Sequence, residues 1–481
     1  MNEDQKTPLD SVASKTLDRR KFLTGMAVGA GLAPLAALSG GLRARSAAPA
    51  VDAALCAGKT VLSPADLSYQ GAFRVPRVSA NPLRLSVGCM TGRRVGSELR
   101  LLLSGWPGTY QSAGSVHEIT IPAALGPSKT NPTSATVTAS WPDIFQGRDQ
   151  LQVGSTRLWG LHYDADLGVL YWAYSADYAG GPHNPSIGAA RLNSGGGVDV
   201  FGPWRTTSHS AQTCGYMLSV PEWFRPLVGG SRLAIGNPPH VNNAQASFGA
   251  DLQAFSPVAL STAADSVSDS SAQSIRTKPL VFYPLSNPQT RTANYKTCGW
   301  NSPYDNSKGG RLTAGLPVFG GSESSTLLDW MDSCAWIDTP SKHGVIFFGQ
   351  LADTIAGHNY GNGETQTHVW YGANPCIHGQ QAGVYNGTGP AAGTLAHQAW
   401  IYDPNDLALV ASGKKASYAI QPTSSFRAKQ LGGFVPEERT SLYQFGGAYF
   451  DAQTARLYLC EVNAIFEDNT WVPAVHVFQV V

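Results

Sequence analysis

Four segments of this chain repeat one design, and that repeat limits the fold more than any other feature. They are GLHYDADLGVLYWAY (Gly160–Tyr174), AWIDTPSKHGVIFFG (Ala335–Gly349), AWIYDPNDLALVASG (Ala399–Gly413) and AYFDAQTARLYLCEV (Ala448–Val462). Each opens with a small residue and an apolar run, reaches an aspartate (Asp164, Asp338, Asp403 or Asp451), passes a short polar turn and resumes as a second apolar run. An aspartate there caps the turn through nearby backbone N–H groups, and the flanking runs read as strands buried on both faces. The spacings from Asp338 to Asp403 and from Asp403 to Asp451 suit one four-stranded blade each, and the long gap from Asp164 to Asp338 has room for two or three more. Closing such sheets into a ring removes their exposed edges. The expected fold is therefore all-β: a single-domain β-propeller of about seven blades, with a β-sandwich or solenoid as the alternative. FGADLQAF (Phe248–Phe255) is a degenerate copy inside the long gap, and Glu98–Trp106 and Gly114–Pro122 add strands before the first clear copy. AVHVFQVV (Ala474–Val481) is expected to complete a blade with the N-terminal part and close the ring.

Residues 1–50 stand outside this pattern. Asp18-Arg19-Arg20-Lys21-Phe22-Leu23 resembles the twin-arginine export pattern, followed by an apolar Gly/Ala-rich stretch to Leu42 and a cleavage-type Ala48-Pro49-Ala50. An uncleaved anchor is the alternative, but the stretch is Gly-rich and weakly hydrophobic for that role. The reading is a signal peptide over 1–50 and a catalytic propeller over 51–481. The resemblance implies passage through the twin-arginine (Tat) machinery to the periplasm or the medium, with no membrane association after processing.

Removing the seven Lys/Arg and four Asp/Glu of residues 1–50 leaves 27 basic and 29 acidic side chains. That balance gives no electrostatic footprint for nucleic acid, so an anionic ligand has to be met by a local cluster of cations. The seven cysteines (56, 89, 214, 298, 334, 376 and 460) lack C-x-x-C spacing and are odd in number, so at least one thiol is left unbridged or metal-bound.

One candidate constellation for chemistry begins in the first repeat. His162 and His183 bracket a predicted hairpin, and Tyr216 and Arg232 follow at a somewhat shorter separation. In order and spacing, on a propeller of this length, the four residues resemble the catalytic set of the ulvan lyases, seven-bladed polysaccharide lyases. The resemblance implies an acidic, uronate-bearing polysaccharide cleaved by β-elimination. Abstracting the C5 proton beside an ionised carboxylate needs that charge neutralised, and a guanidinium such as Arg232 grips a carboxylate with two parallel hydrogen bonds. A neutral histidine takes the proton, and a tyrosine hydroxyl protonates the leaving oxygen. By that analogy His162 or His183 is the base, Tyr216 the acid and Arg232 the neutraliser. Trp159, Trp172, Trp204 and Trp223 lie in the same region as candidate sugar-stacking walls, though each taken singly reads first as core.

A second cluster, GHNYGNGETQTHVWYGANPCIHG, gathers His358, His368, Cys376 and His378 into one short stretch, with His397 beyond. Imidazole and thiolate suit a structural zinc, held here by His358, Cys376 and His378, and the same resemblance implies one. Catalysis itself needs no cofactor in this reading. There is no G-x-S-x-G elbow, phosphate loop, C-x-x-C-H or H-E-x-x-H. Two other classes stay open: a metal-dependent oxidase or hydrolase, and a non-catalytic glycan- or protein-binding propeller. Paired carboxylates for glycoside hydrolysis, among Asp164, Asp166 and Asp177, also remain possible.

Overall fold

The computed structural model describes residues 58–78, 81–82, 89–104, 114–148, 156–176, 185–207, 213–237, 250–257, 274–282, 304–305, 310–311, 330–360, 378–381, 385–432, 445–468 and 470–481. All lie within the unit that runs from Ala48 to Val481.

The N-terminal strand β1 is Leu67–Arg74. Blade I comprises β2 (Met90–Val95), β3 (Glu98–Ser104), β4 (Val116–Thr120) and β5 (Val137–Trp141). Blade II comprises β6 (Thr156–Asp164), β7 (Val169–Ala176), β8 (Ile187–Leu192) and β9 (Val198–Thr206). Blade III is built from β10 (Met217–Ser219), β11 (Leu233–Ile235), β12 (Leu252–Phe255) and β13 (Thr277–Val281). Blade IV has β14 (Trp330–Asp338), β15 (Lys342–Tyr360), β16 (Tyr385–Tyr402) and β17 (Ser424–Arg427), with helix α1 (Pro404–Ala411) before the last. Blade V has β18 (Phe445–Asp451), β19 (Arg456–Glu467) and β20 (Thr470–Val480), and its outermost strand is β1.

Each blade is an antiparallel four-stranded meander. The innermost strands touch in the circuit β2, β6, β10, β14, β18 and back to β2, so the ring closes at five. Closure is by β1 against β20, with Leu67 opposite Val480 and Arg74 opposite Ala474, as the C-terminal run led one to expect.

The unbroken apolar runs are explained by what covers each face. Side chains alternate along a strand, so a strand between two neighbours needs apolar residues on both sides. Along β7, Val169, Tyr171 and Ala173 pack toward blade III, whereas Leu170, Trp172 and Tyr174 pack toward blade I. Along β15, Val345 and Phe347 face blade III and Ile346 and Phe348 face blade V. The described core falls into five clusters, one at each junction between neighbouring blades. At the centre backbones come close: a Cβ on Gly160 would land on the Gly215 carbonyl, and one on Gly447 on the Met90 backbone.

The blade count is five rather than seven, for two reasons. The repeats at Asp338 and Asp403 belong to one sheet, because β14 and β16 both pair with β15. The second half of the Asp403 copy is a helix and not a strand. Asp403 caps it by accepting a hydrogen bond from the Asn405 N–H at 2.8 Å, and Pro404 occupies its first turn. Leu407, Ala408, Val410 and Ala411 bury one helical face. The Asp-Pro pair ahead of good helix formers was the legible signal for that cap. Between Asp164 and Asp338 the described residues form one further blade, and FGADLQAF supplies its third strand.

Candidate functional site

The ring has two rims: one where the innermost strands begin, and one where they turn into the second strands. A narrow cavity of about 60 Å³ runs between the innermost strands, lined by Thr91, His162, Ser219, Trp336 and Tyr449 among others, with every blade contributing. At about 30 Å³ per water it holds roughly two molecules and no sugar ring. A larger ligand therefore has to be met at a rim.

At the turn rim, the repeat aspartates bind the neighbouring blades. Asp164 accepts from the N–H groups of Asp166 and Leu167 at 3.1 and 3.2 Å, the turn cap its position suggested. It also accepts from Arg232 of blade III at 3.0 Å, and Arg232 reaches Asp166 at 2.6 Å. Asp338 and Asp451 act differently from that expectation, because their contacts recorded at this rim are side-chain ones. Asp338 takes Lys59 at 2.5 Å and the Trp223 indole N–H at 3.1 Å. Asp451 takes Arg94 of blade I at 2.8 Å and the Thr454 hydroxyl at 2.6 Å.

His162 sits at the turn end of β6, and its Nε2 lies 3.0 Å from the hydroxyl oxygen of Ser219, an exposed residue of blade III. Burial first, and then the Arg232 charge, depress its pKa from 6.5 to about 4, so the imidazole is neutral at ordinary pH. The structure thus brings His162 and Arg232 into one neighbourhood. Arg232, however, already pairs through Nη2 with two carboxylates. His183 lies outside the described residues.

Tyr216 lies in the core with its hydroxyl already engaged. It is 2 % exposed, its ring packs edge-on to Phe347, and its hydroxyl donates to the Asp251 carbonyl at 2.7 Å. Burial, then the Cys334 and Asp251 charges, push its pKa well above 10.0. The stacking walls are corrected similarly. Trp159, Trp172 and Trp204 are core side chains, buried by the two-faced packing of blade II. Trp223 is half-buried and tied to Asp338.

The strand-start rim presents the opposite electrostatic situation. Asp332 is the third residue of β14, at a bulge where the register slips between Met331 and Ser333. Bulges near sites re-aim a side chain. It is fully buried, and neither carboxylate oxygen has a side-chain partner among the described residues. Burial raises its pKa well above 3.8, opposed by the Phe445 backbone N–H, with no cation among the described residues to offset the cost. Asp251, just before β12, is also fully buried and also raised by burial, with the Gln253 amide 3.4 Å from each of its oxygens. In both, burial favours the protonated form of the acid. Reasoning from the repeat missed Ser219, Asp332 and Asp251. The available signal was a carboxylate inside an otherwise apolar strand, as in the Trp330-Met331-Asp332-Ser333-Cys334 run.

Cys376 lies outside the described residues. His358 and His378 are described only as backbone, in β15 and in the short strand His378–Gln381. Among the described residues no group of three His, Cys, Asp or Glu stands ready for a metal. Cys89, Cys214, Cys334 and Cys460 are buried thiols outside any disulfide. No described helix is long and apolar enough to cross a membrane.

No family model matches the chain, and no curated protein matches it. Among solved structures it is similar to a putative glycoside hydrolase from Parabacteroides distasonis, at 10% identity over 86% of this chain and 98% of that chain, with a TM-score of 0.36. It is also similar to the catalytic domain of the Coprinopsis cinerea GH62 alpha-L-arabinofuranosidase, at 8% identity over 86% and 98% of the two chains, with a TM-score of 0.29. The five-bladed ring rests on the strand pairing of the chain itself.

Proposed function

We propose that this chain is a carbohydrate-active enzyme that cleaves a glycosidic linkage by acid–base chemistry at the strand-start rim, with Asp332 as proton donor. One observation carries the reading: a carboxyl on a bulge of an innermost strand, buried without a cation or a side-chain partner among the described residues, which pushes it toward its protonated form. Buried unsatisfied carboxyls are costly and concentrate at sites that use them. A general acid needs that raised pKa to hold its proton at neutral pH. Hydrolysis is favoured over uronate elimination because the residues first assigned to elimination are engaged elsewhere: the Tyr216 hydroxyl on Asp251, and Arg232 on Asp164 and Asp166. The twin-arginine pattern of residues 1–50 supports an exported enzyme, which N-terminal sequencing of the processed protein checks.

The test incubates the protein with neutral and uronate polysaccharides. It follows new reducing ends and, separately, the ultraviolet absorbance of an unsaturated product. Reducing ends without that absorbance, lost in Asp332→Asn, are the expected result. An ultraviolet rise on a uronate polymer that survives Asp332→Asn would restore elimination and remove Asp332 from the chemistry.

A further inference from the structure

We propose a second carbohydrate-binding site, separate from both rims' chemistry, on the outer part of blade V, taking an uncharged saccharide. A cavity of about 750 Å³ lies between the end of β1, the 129–134 segment and the β19–β20 hairpin, within the size range of ligand sites. Its wall carries an aromatic pair: Phe466 and Trp471 face each other across the hairpin with ring centroids 4.9 Å apart. Phe466 is 59 % exposed, unusual for a large apolar side chain among the described residues and without value to the core. A register slip between Glu461 and Ile465 carries the hairpin tip away from the regular ladder and presents that pair.

The polar lining decides the ligand class. Arg74 is paired with Glu467, and Lys129 with Glu461 at 2.8 Å. Behind this, Arg77 reaches Glu467 and Asp468, at 3.3 and 3.0 Å. Each of these cations already has a carboxylate, so the groove offers no surplus charge to an anion. It offers instead alternating donors and acceptors beside a ring platform, with the Thr130 and Ser134 hydroxyls on the same wall. Vicinal sugar hydroxyls both donate and accept, and the apolar face of a sugar ring stacks on an aromatic; the arrangement matches both needs. Lys129 is anchored from below, because Glu461 is fully buried and bonded to the buried His476 at 2.9 Å.

The experiment is native affinity electrophoresis of the full chain in gels cast with arabinoxylan, mixed-linkage β-glucan or ulvan, at low salt and at 1 M salt, where the Debye length is about 3 Å. Retardation by at least one uncharged polymer, unchanged by salt, is expected. Trp471→Ala and Phe466→Ala should each weaken it about three- to tenfold, and Phe466→Trp should keep it. Phe466 is exposed, so its variant keeps the wild-type melting temperature and reports binding alone. The proposal is overturned if no uncharged polymer retards the protein, if Phe466→Ala is retarded like wild type, or if only ulvan retards it and salt abolishes the effect.

Discussion

The two rims of this propeller carry carboxylates in opposite circumstances. At the turn rim Asp164, Asp338 and Asp451 each meet a cation, and each pairing joins Asp to a residue outside its own blade's repeat. At the strand-start rim Asp332 and Asp251 are fully buried with no cation among the described residues, and both are held well above the ordinary carboxylate range by burial. A paired carboxylate holds blades in register. An unpaired buried one weakens the fold unless something else needs its proton. On the proposed reading, the contrast separates the rim that holds the ring together from the rim that carries the chemistry.

The largest effect that would break the comparison is catalytic. Asp332→Asn should lower turnover about 10²- to 10⁴-fold, the range for removing a positioned acid, with binding little changed. Equal losses from Asp332→Asn and Asp164→Asn in the reducing-end assay would erase the distinction between the rims. Next comes stability at the turn rim. Asp164→Ala removes two backbone caps and leaves Arg232 with Asp166 alone, and should cost about 2–3 kcal/mol in chemical denaturation. A double-mutant cycle with Arg232→Ala should show coupling of about 0.5 kcal/mol or more.

Acid titration sharpens the comparison further. The folded pKa of His162 is depressed from 6.5 to about 4, so its contribution is complete above 6.5 and is lost as the pH falls toward 4. Wild type should lose roughly 1 kcal/mol per pH unit in that window from this group, and His162→Gln should show a shallower fall in melting temperature. Asp332 has the opposite sign. Its folded pKa is raised above 3.8, so its contribution is present below that value and is lost as the pH rises toward the folded pKa. Asp332→Asn should therefore gain stability over wild type as pH climbs from 4 to 7, by about 0.5–2 kcal/mol at neutrality. A variant both inactive and more stable is the signature of a residue kept for function.

Much of the fold was legible because it depends on local order. Runs such as Val345–Phe348 read as strands covered on both faces, and the C-terminal run read as the closing strand. Blade number was not legible, because the Asp403 copy looks like a hairpin until its Asp-Pro cap is weighed. The candidate site was less visible still. Tyr216 and Arg232 stood at a persuasive spacing, yet Tyr216 faces the core and Arg232 faces a neighbouring blade's aspartates.

By itself the sequence determined that its strands, broken by short polar turns, must be covered on both faces, which a closed ring of sheets achieves. Only the tertiary structure decided which carboxylates meet cations. The groups that set the state of Asp164, Asp332 and Glu461 lie on other blades or far along the chain, and charge pairing in a low-dielectric interior depends on distance in space and not on separation in sequence.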